Sequence, residues 1–186
     1  MKEIRFHGRG GQGTVVASVI MAKAFFSAGY EVQTFPVFGV ERRGAPVEAY
    51  LRLDSKKITV RSNIYTPHHV VVQDIKLIRN AAITKGLCPG GWILVNSAEK
   101  PADTSLLEGF SLACVDATGI AVGNRLGTRT HPIINTAMVG ALARLLEEPA
   151  LEHVAAAIEE EVPARRQQNI QAARDAYEAV VLHGPV

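Results

Sequence analysis

Gly8-Arg9-Gly10-Gly11-Gln12-Gly13 lies between a short strand-like run, Glu3 to His7, and a helix-like run, Thr14 to Ala28. A glycine-rich turn at a strand-to-helix junction constrains this chain more than any other feature. It demands a β-α unit in which the backbone takes positive φ and comes close to a neighbour or a ligand. Val15, Val19, Ala22 and Phe26 form one stripe of the helix, and Val16, Ile20 and Ala24 widen it, so most of this helix should be buried. Gly29 stands where it should stop.

Strand-like and helix-like stretches continue to alternate, which is the pattern of an α/β chain. Glu31 to Val37 reads as a second strand. Val47 to Leu53 and Ile58 to Arg61 read as two strands joined by Asp54-Ser55-Lys56-Lys57, a connection so short that it forces antiparallel pairing. His69 to Gln73, Trp92 to Asn96 and Leu112 to Asp116 are further strands, and Asp74 is placed to cap a helix over Ile75 to Ala82. Helices follow over Pro132 to Leu146, Glu152 to Glu161 and about Ala164 to Leu182. The expected architecture is a three-layer, Rossmann-like α/β/α domain over residues 1–186, with a mostly parallel, mixed sheet including one antiparallel hairpin. With 47% hydrophobic and 20% charged residues, the chain has the balance of a globular domain and not of a disordered one.

Charge and composition exclude several functions. A net charge of +2 gives no reason to expect nucleic acid or an acidic membrane surface as a partner. No apolar run approaches the roughly 20 residues that span a bilayer, and Met1-Lys2-Glu3 leads into a strand and not a signal peptide. The expectation is a soluble, reduced, cytoplasmic protein. Its two cysteines, Cys88 and Cys114, are too far apart in sequence for a CxxC pair or a cluster-binding run. His68 and His69 are adjacent in a strand, point to opposite faces and cannot share a metal. No nucleophile, base and orienter set is visible, so no catalytic residue and no metal site are assigned.

The glycine turn fits G-x-G-x-x-G literally. Either it cradles a phosphate, with the helix start supplying N–H groups and Arg9 a charged fork, or it is a tight turn without a ligand. A nicotinamide or flavin dinucleotide would also need an acid near the end of the second strand. That end is Thr34-Phe35-Pro36-Val37, while Glu31 stands at its beginning, which argues against a dinucleotide. Gly39-Val40-Glu41-Arg42-Arg43-Gly44-Ala45-Pro46 follows the same strand. If the first two strands run the same way, this charged loop shares the glycine turn's edge of the sheet. Arg42 and Arg43 could then meet phosphate or a partner's carboxylate, with Glu41 neutralising one of them. A solvated loop with a local ion pair is the plain alternative. His7, Asn96, His131, Asn135 and Thr136 are weaker candidates for ligand contact, each equally able to satisfy local backbone.

Taken together, Phe6 to Gly13 and Phe38 to Val47 resemble the gamma subunit of the 2-oxoacid:ferredoxin oxidoreductases, most closely the pyruvate type, also called pyruvate synthase. The similarity extends through Arg61, Pro67 and Val70-Val71-Val72, and through His131 to Ala141. The resemblance implies a subunit of an enzyme that oxidatively decarboxylates a 2-oxoacid to an acyl-coenzyme A. Such an enzyme uses thiamine diphosphate with magnesium and passes electrons through iron–sulfur clusters to ferredoxin. It implies companion subunits of alpha, beta and delta type, and a coenzyme A substrate that approaches near this chain. Gly8 to Gly13 with Glu41, Arg42 and Arg43 would then form a ligand- or partner-binding rim. Neither the thiolates for a cluster nor a Gly-Asp-Gly run for thiamine diphosphate is found in the chain, so those cofactors should sit on the companions. A stand-alone dinucleotide-binding oxidoreductase and a purely structural adaptor are the rival readings. A subunit should also leave apolar surface exposed when isolated.

Overall fold

The computed structural model describes residues 1–37, 44–80 and 82–186. Glu41, Arg42 and Arg43 therefore lie outside the described residues. The elements in chain order are β1 (Lys2–Arg9), α1 (Thr14–Ser27), β2 (Glu31–Val37), β3 (Pro46–Asp54), β4 (His69–Val72), β5 (Trp92–Asn96), β6 (Ser111–Val115), α2 (Ala117–Gly123), α3 (Asn135–Leu146), α4 (Leu151–Glu161), α5 (Arg166–Ala179) and β7 (Val181–Pro185). Single 3-10 segments cover Ile75–Arg79 and Ser105–Leu107.

The strands form one sheet of order β2-β3-β1-β4-β5-β6-β7. Pairing is parallel from β1 through β6 and antiparallel at β1–β3, β2–β3 and β6–β7. Strands β1, β2, β4, β5 and β6 all run one way, as expected, and only β3 and β7 oppose them. The antiparallel hairpin is β2–β3, not the expected pairing of 47–53 with 58–61. Strand β3 has only two edges, and β1 and β2 pair with it along nearly its full length. Residues 58–61 therefore find no free edge on β3. They pass over the sheet face, where the Gln33 amide reaches the Ile58 carbonyl.

All five α-helices contribute to one core with Ile4, Phe6, Leu51, Val71, Leu94 and Ala113 of the sheet. The opposite face is covered by 3-10 turns and connecting chain: Leu77, Ile78, Ile83, Leu87 and Leu107 pack on Val70, Val72, Ile93, Val95 and Leu112. The third layer is thus present but carries no α-helix among the described residues. Pro89, Pro101, Gly86, Gly90, Gly91 and Gly109 interrupt the two connections that would form one. The helix expected over 75–82 is the 3-10 segment, and Asp74 caps it by accepting from the Lys76 N–H at 2.9 Å.

Two further expectations shift. In α1 the buried stripe is Ala17, Ile20, Met21, Ala24 and Phe25, while Phe26 is 66% exposed. Almost every face of this helix is apolar, so periodicity alone misplaces the stripe by one position. The last helix ends at Ala179 and the chain returns as the edge strand β7. Val180 and Val181 favour extended backbone, and Gly184-Pro185 cannot prolong a helix.

Side-chain alternation gives β1 two distinct faces. Ile4 and Phe6 enter the helix core, whereas Glu3, Arg5 and His7 point the other way and are buried as well. Arg52 donates to the Glu3 carboxylate at 2.7 Å, to the Gln33 side-chain oxygen at 3.0 Å and to the Ser62 carbonyl at 3.1 Å. Arg5 donates to the carbonyls of Ala82, Ile83 and Lys85 at 2.9–3.0 Å and to His7 Nε2 at 2.9 Å. These guanidiniums fasten the irregular layer to the sheet. Among the described residues no helix is long and apolar enough to cross a membrane.

Helices α3 and α5 cross at Gly140, where a Cβ would stand 2.0 Å from the Ala173 carbonyl oxygen. Alanine normally stabilises a helix interior by about 1 kcal/mol over glycine, but here the obstacle is backbone. Gly140→Ala should destabilise the chain by roughly 2–3 kcal/mol, measured by denaturant unfolding. A second expectation concerns pH. Burial and the adjacent Arg5 push His7 down to about 3, and burial with Lys2 and His68 pushes His69 down to about 4. Glu48 lies 3.5 Å from His7 Nδ1, yet desolvation and the guanidinium outweigh it. Both rings are neutral when folded and gain protons more readily when unfolded. Stability should therefore fall as pH drops from about 6.5 toward 4, with a slope of up to ~1.4 kcal/mol per pH unit for each ring. His69→Gln should flatten that slope in unfolding curves taken at several pH values.

Candidate functional site

The strand order turns in opposite directions on either side of the β1–β4 pair. From β1 the chain leaves through α1 toward β2, and from β4 it proceeds toward β5 and β6. Such a point opens a crevice at the carboxyl edge of the strands. The glycine turn sits on one side of it and Gln73-Asp74 on the other.

Three glycines have distinct reasons to be there. A Cβ on Gly8 would stand 2.1 Å from Thr14 Oγ1 and 2.7 Å from Gln73 Oε1. Gly11 has φ 96° and Gly13 φ 72°, and a Cβ on Gly13 would meet Asn135 Nδ2 at 2.7 Å. Gly13 is the N-cap of α1 and offers no capping side chain, so the positive end of the helix faces the edge without an internal acceptor from its cap. Gln12 folds back, and its side-chain oxygen accepts the Arg9 N–H at 2.7 Å. Gly10 exchanges backbone hydrogen bonds with Ala45 and Gly44 at 2.9 and 3.3 Å. The residues that flank the charged loop, Val37 and Gly44, are therefore at the glycine turn's edge.

Arg9 is engaged. Its Nε stands 2.5 Å from Asp74 Oδ2 and its Nη1 donates to the Gly44 carbonyl at 3.2 Å. The pair bridges the crevice from β1 to β4, and in this arrangement Arg9 is a clasp more than a free anion fork.

Asn96, at the end of β5, donates to the Gln73 carbonyl at 3.1 Å and to Thr118 Oγ1 at 3.0 Å. A cavity of about 230 Å³ opens here, lined by Gly10, Gly11, Gln12, Asn96, Thr118 and His131 among others. Beneath the turn, Gln73 is fully buried. Thr14 Oγ1 donates to its Oε1 at 2.5 Å, while its Nε2 has no hydrogen-bond partner among the described residues. An orphaned buried amide is uncommon and marks the floor of this edge as polar and under-satisfied.

The remaining candidates are placed as follows. His7 is under the sheet with Arg5 and Glu48, away from the turn's cavity. His68 Nδ1 accepts the Glu3 N–H at 3.1 Å, and His69 faces the Trp92 N–H at 3.4 Å. His131 belongs to a tight turn with Thr128 and stands 3.0 Å from Thr130 Oγ1. Asn135 packs on Gly13, and Thr136 donates to Asn169 Oδ1 at 3.0 Å inside the core. Cys88 donates weakly to the Thr66 carbonyl. Cys114 is buried, and desolvation pushes its thiol up to about 11, far from a thiolate. Gln73, Thr14 and Thr118 were not legible as site residues. Only the polar Gln73-Asp74 pair ending an apolar strand hinted at the first. The arrangement offers hydrogen-bond donors and a helix start, features that suit binding of an anionic group.

A model of the pyruvate ferredoxin/flavodoxin oxidoreductase family matches residues 3–179. Pyruvate synthase subunit PorC of Methanocaldococcus jannaschii is 46% identical over 178 residues, covering 95% of this chain and 96% of that protein. The pyruvate/ketoisovalerate oxidoreductases common subunit gamma of Thermococcus kodakarensis is 46% identical over 187 residues, covering 98% and 99%. Among solved structures, pyruvate oxidoreductase subunit PORC of Thermotoga maritima superposes with a TM-score of 0.83 at 35% identity, over 98% of each chain. The 2-oxoglutarate:ferredoxin oxidoreductase of Magnetococcus marinus shares the fold at a TM-score of 0.73 and 20% identity, over 95% of this chain and 30% of that one. The glycine turn at the β1–β4 crevice is thus set in a chain similar from end to end to gamma-type subunits, and the chain belongs to the pyruvate ferredoxin/flavodoxin oxidoreductase family.

Proposed function

We propose that this chain is the gamma subunit of a multi-subunit, thiamine-diphosphate-dependent 2-oxoacid:ferredoxin oxidoreductase, with pyruvate as the 2-oxoacid. The overall reaction converts a 2-oxoacid and coenzyme A to acyl-coenzyme A and carbon dioxide, with two electrons passed to ferredoxin. The carrying observation is the full-length similarity to gamma and PorC subunits. The donor set does not fit the redox groups. Cys114 is in the core and Cys88 faces a carbonyl, and the described residues hold no group of three His, Cys, Asp or Glu for a metal. Thiamine diphosphate, magnesium and the iron–sulfur clusters are therefore assigned to companion chains of alpha, beta and delta type, in a cytoplasmic assembly.

The glycine turn is assigned a border of the coenzyme A path. A helix start carries about half a positive charge, and the cavity beside it presents Asn96, Thr118 and His131. Because Arg9 is held by Asp74, the cations offered to a phosphate would be Arg42 and Arg43, which follow β2 in the sequence. Holding coenzyme A there would bring its thiol toward the thiamine adduct, a positioning contribution that acyl transfer requires. The orphaned Gln73 amide and the polar cavity wall favour this reading over an adaptor that touches no ligand.

The test compares the purified chain with the assembled complex in 2-oxoacid-dependent dye reduction. Only the complex should turn over. In the complex, Arg42→Ala with Arg43→Ala should raise KM for coenzyme A about tenfold or more, the scale of a lost charge-assisted hydrogen bond, with assembly intact. Turnover by the lone chain would refute the division of labour. Unchanged coenzyme A kinetics would remove the arginine loop from the site.

A further inference from the structure

A second groove lies between the α4–α5 junction and the segment after α2. Its cavity, about 510 Å³, has an apolar floor of Val16, Leu126, Ile133, Val162 and Pro163. Ile133 is 47% exposed, a large side chain left to solvent at its edge. Polar side chains of the floor make internal hydrogen bonds. Asn169 donates to the Ala164 and Arg165 carbonyls and accepts from Thr136, and Asn135 accepts the Thr136 N–H.

The rim is basic. Arg165 lines the cavity, Arg125 and Arg129 flank its lining residues Leu126 and Thr128, and Arg166 follows Arg165. All four are exposed. No ion pair among the described residues includes any of them. Arg165 donates to the Arg125 carbonyl and Arg166 to that of Val162, so neither charge is neutralised. Glu161, the one acid lining the groove, is 2.8 Å from Lys23. The sequence has the same bias. From Ala117 to Leu146 and from Val162 to Arg174 there is no aspartate or glutamate, and every Lys-or-Arg position is arginine. Arg125 and Arg165 also hold φ of 58° and 52°, a conformation uncommon for residues other than glycine, asparagine and aspartate.

An apolar floor inside an arginine rim matches the anatomy of a protein interface, where a dry centre is ringed by charge and arginine is enriched. Guanidinium is the cation suited to two-point capture of carboxylates. A small anionic metabolite would call for polar groups directed into the cavity, whereas Asn169 is engaged at both ends of its amide and Asn135 at its oxygen. We propose that this groove docks an acidic segment of a companion subunit, with an apolar residue seated on Leu126, Ile133 and Val162 and its flanking carboxylates on the arginine rim. This rests on the chain being one subunit of an assembly and does not require the coenzyme A path, although Ile133 lines both cavities.

The test uses the complete co-expressed complex. Arg129→Glu with Arg166→Glu should weaken retention of this subunit at least tenfold in a dissociation titration. Raising the salt should weaken the unaltered complex in the same direction. Separately, Arg129→Lys, a near-neutral change at an exposed turn, should yield a zero-length carbodiimide cross-link to an aspartate or glutamate of a companion subunit, located by mass spectrometry. This arm holds even if the charge-reversed variant folds poorly. Unaltered assembly together with no such cross-link would overturn the proposal. So would a cross-link between two copies of this chain. Intact assembly with a raised KM for an anionic substrate would overturn it in favour of a small-molecule site.

Discussion

Two places in the first turn have no room for a side chain, and the carboxyl edge of the sheet is organised around them. At Gly8 the backbone of β1 comes within contact of Thr14 and Gln73, and at Gly13 it meets Asn135 while turning through positive φ. The ends of β1 and β4 and the starts of α1 and α3 can converge only because those atoms are missing. The Arg9–Asp74 pair then spans the same crevice. Packing and binding geometry are therefore one constraint here: what lets α1 sit on the sheet also brings its positive end to the edge.

The opposite face obeys a different rule. A third layer without α-helices has few ladders to satisfy its backbone, and Arg5 and Arg52 supply donors in their place. Each guanidinium is taken out of water, which is costly unless every N–H finds an acceptor. The carbonyls of Ser62, Ala82, Ile83 and Lys85 and the Glu3 carboxylate supply such acceptors. The irregular chain and the buried charges stabilise one another. They also keep His7 neutral, because it is buried and its neighbour is a cation.

Much of the plan was legible in the sequence where local signals and global packing agreed. The turn, the sense of β2 relative to β1, and the strands at His69, Trp92 and Leu112 follow from glycine placement and apolar runs. Elsewhere several strands were possible and tertiary pairing chose among them. Ile58 to Arg61 has strand-like chemistry but β3 has no free edge, and Val181–Pro185 is a strand because β6 offers one. Phe25 rather than Phe26 is buried because a helix apolar on all sides carries no usable phase. At the site, the glycines were visible as a motif. Gln73 and Thr118 became site residues only when strand ends distant in sequence met at one edge.

The account joins a binding edge to a chain that supplies positioning while companions supply redox chemistry. Hydrogen–deuterium exchange on the assembled complex, with and without coenzyme A, tests this most directly. Amides from Gly10 to Gln12 and around Thr130 to Ile134 should exchange more slowly when coenzyme A is present, because the ligand would occupy the cavity they border. Exchange that is the same in both states across these segments, in a complex saturated with coenzyme A and active, would contradict it.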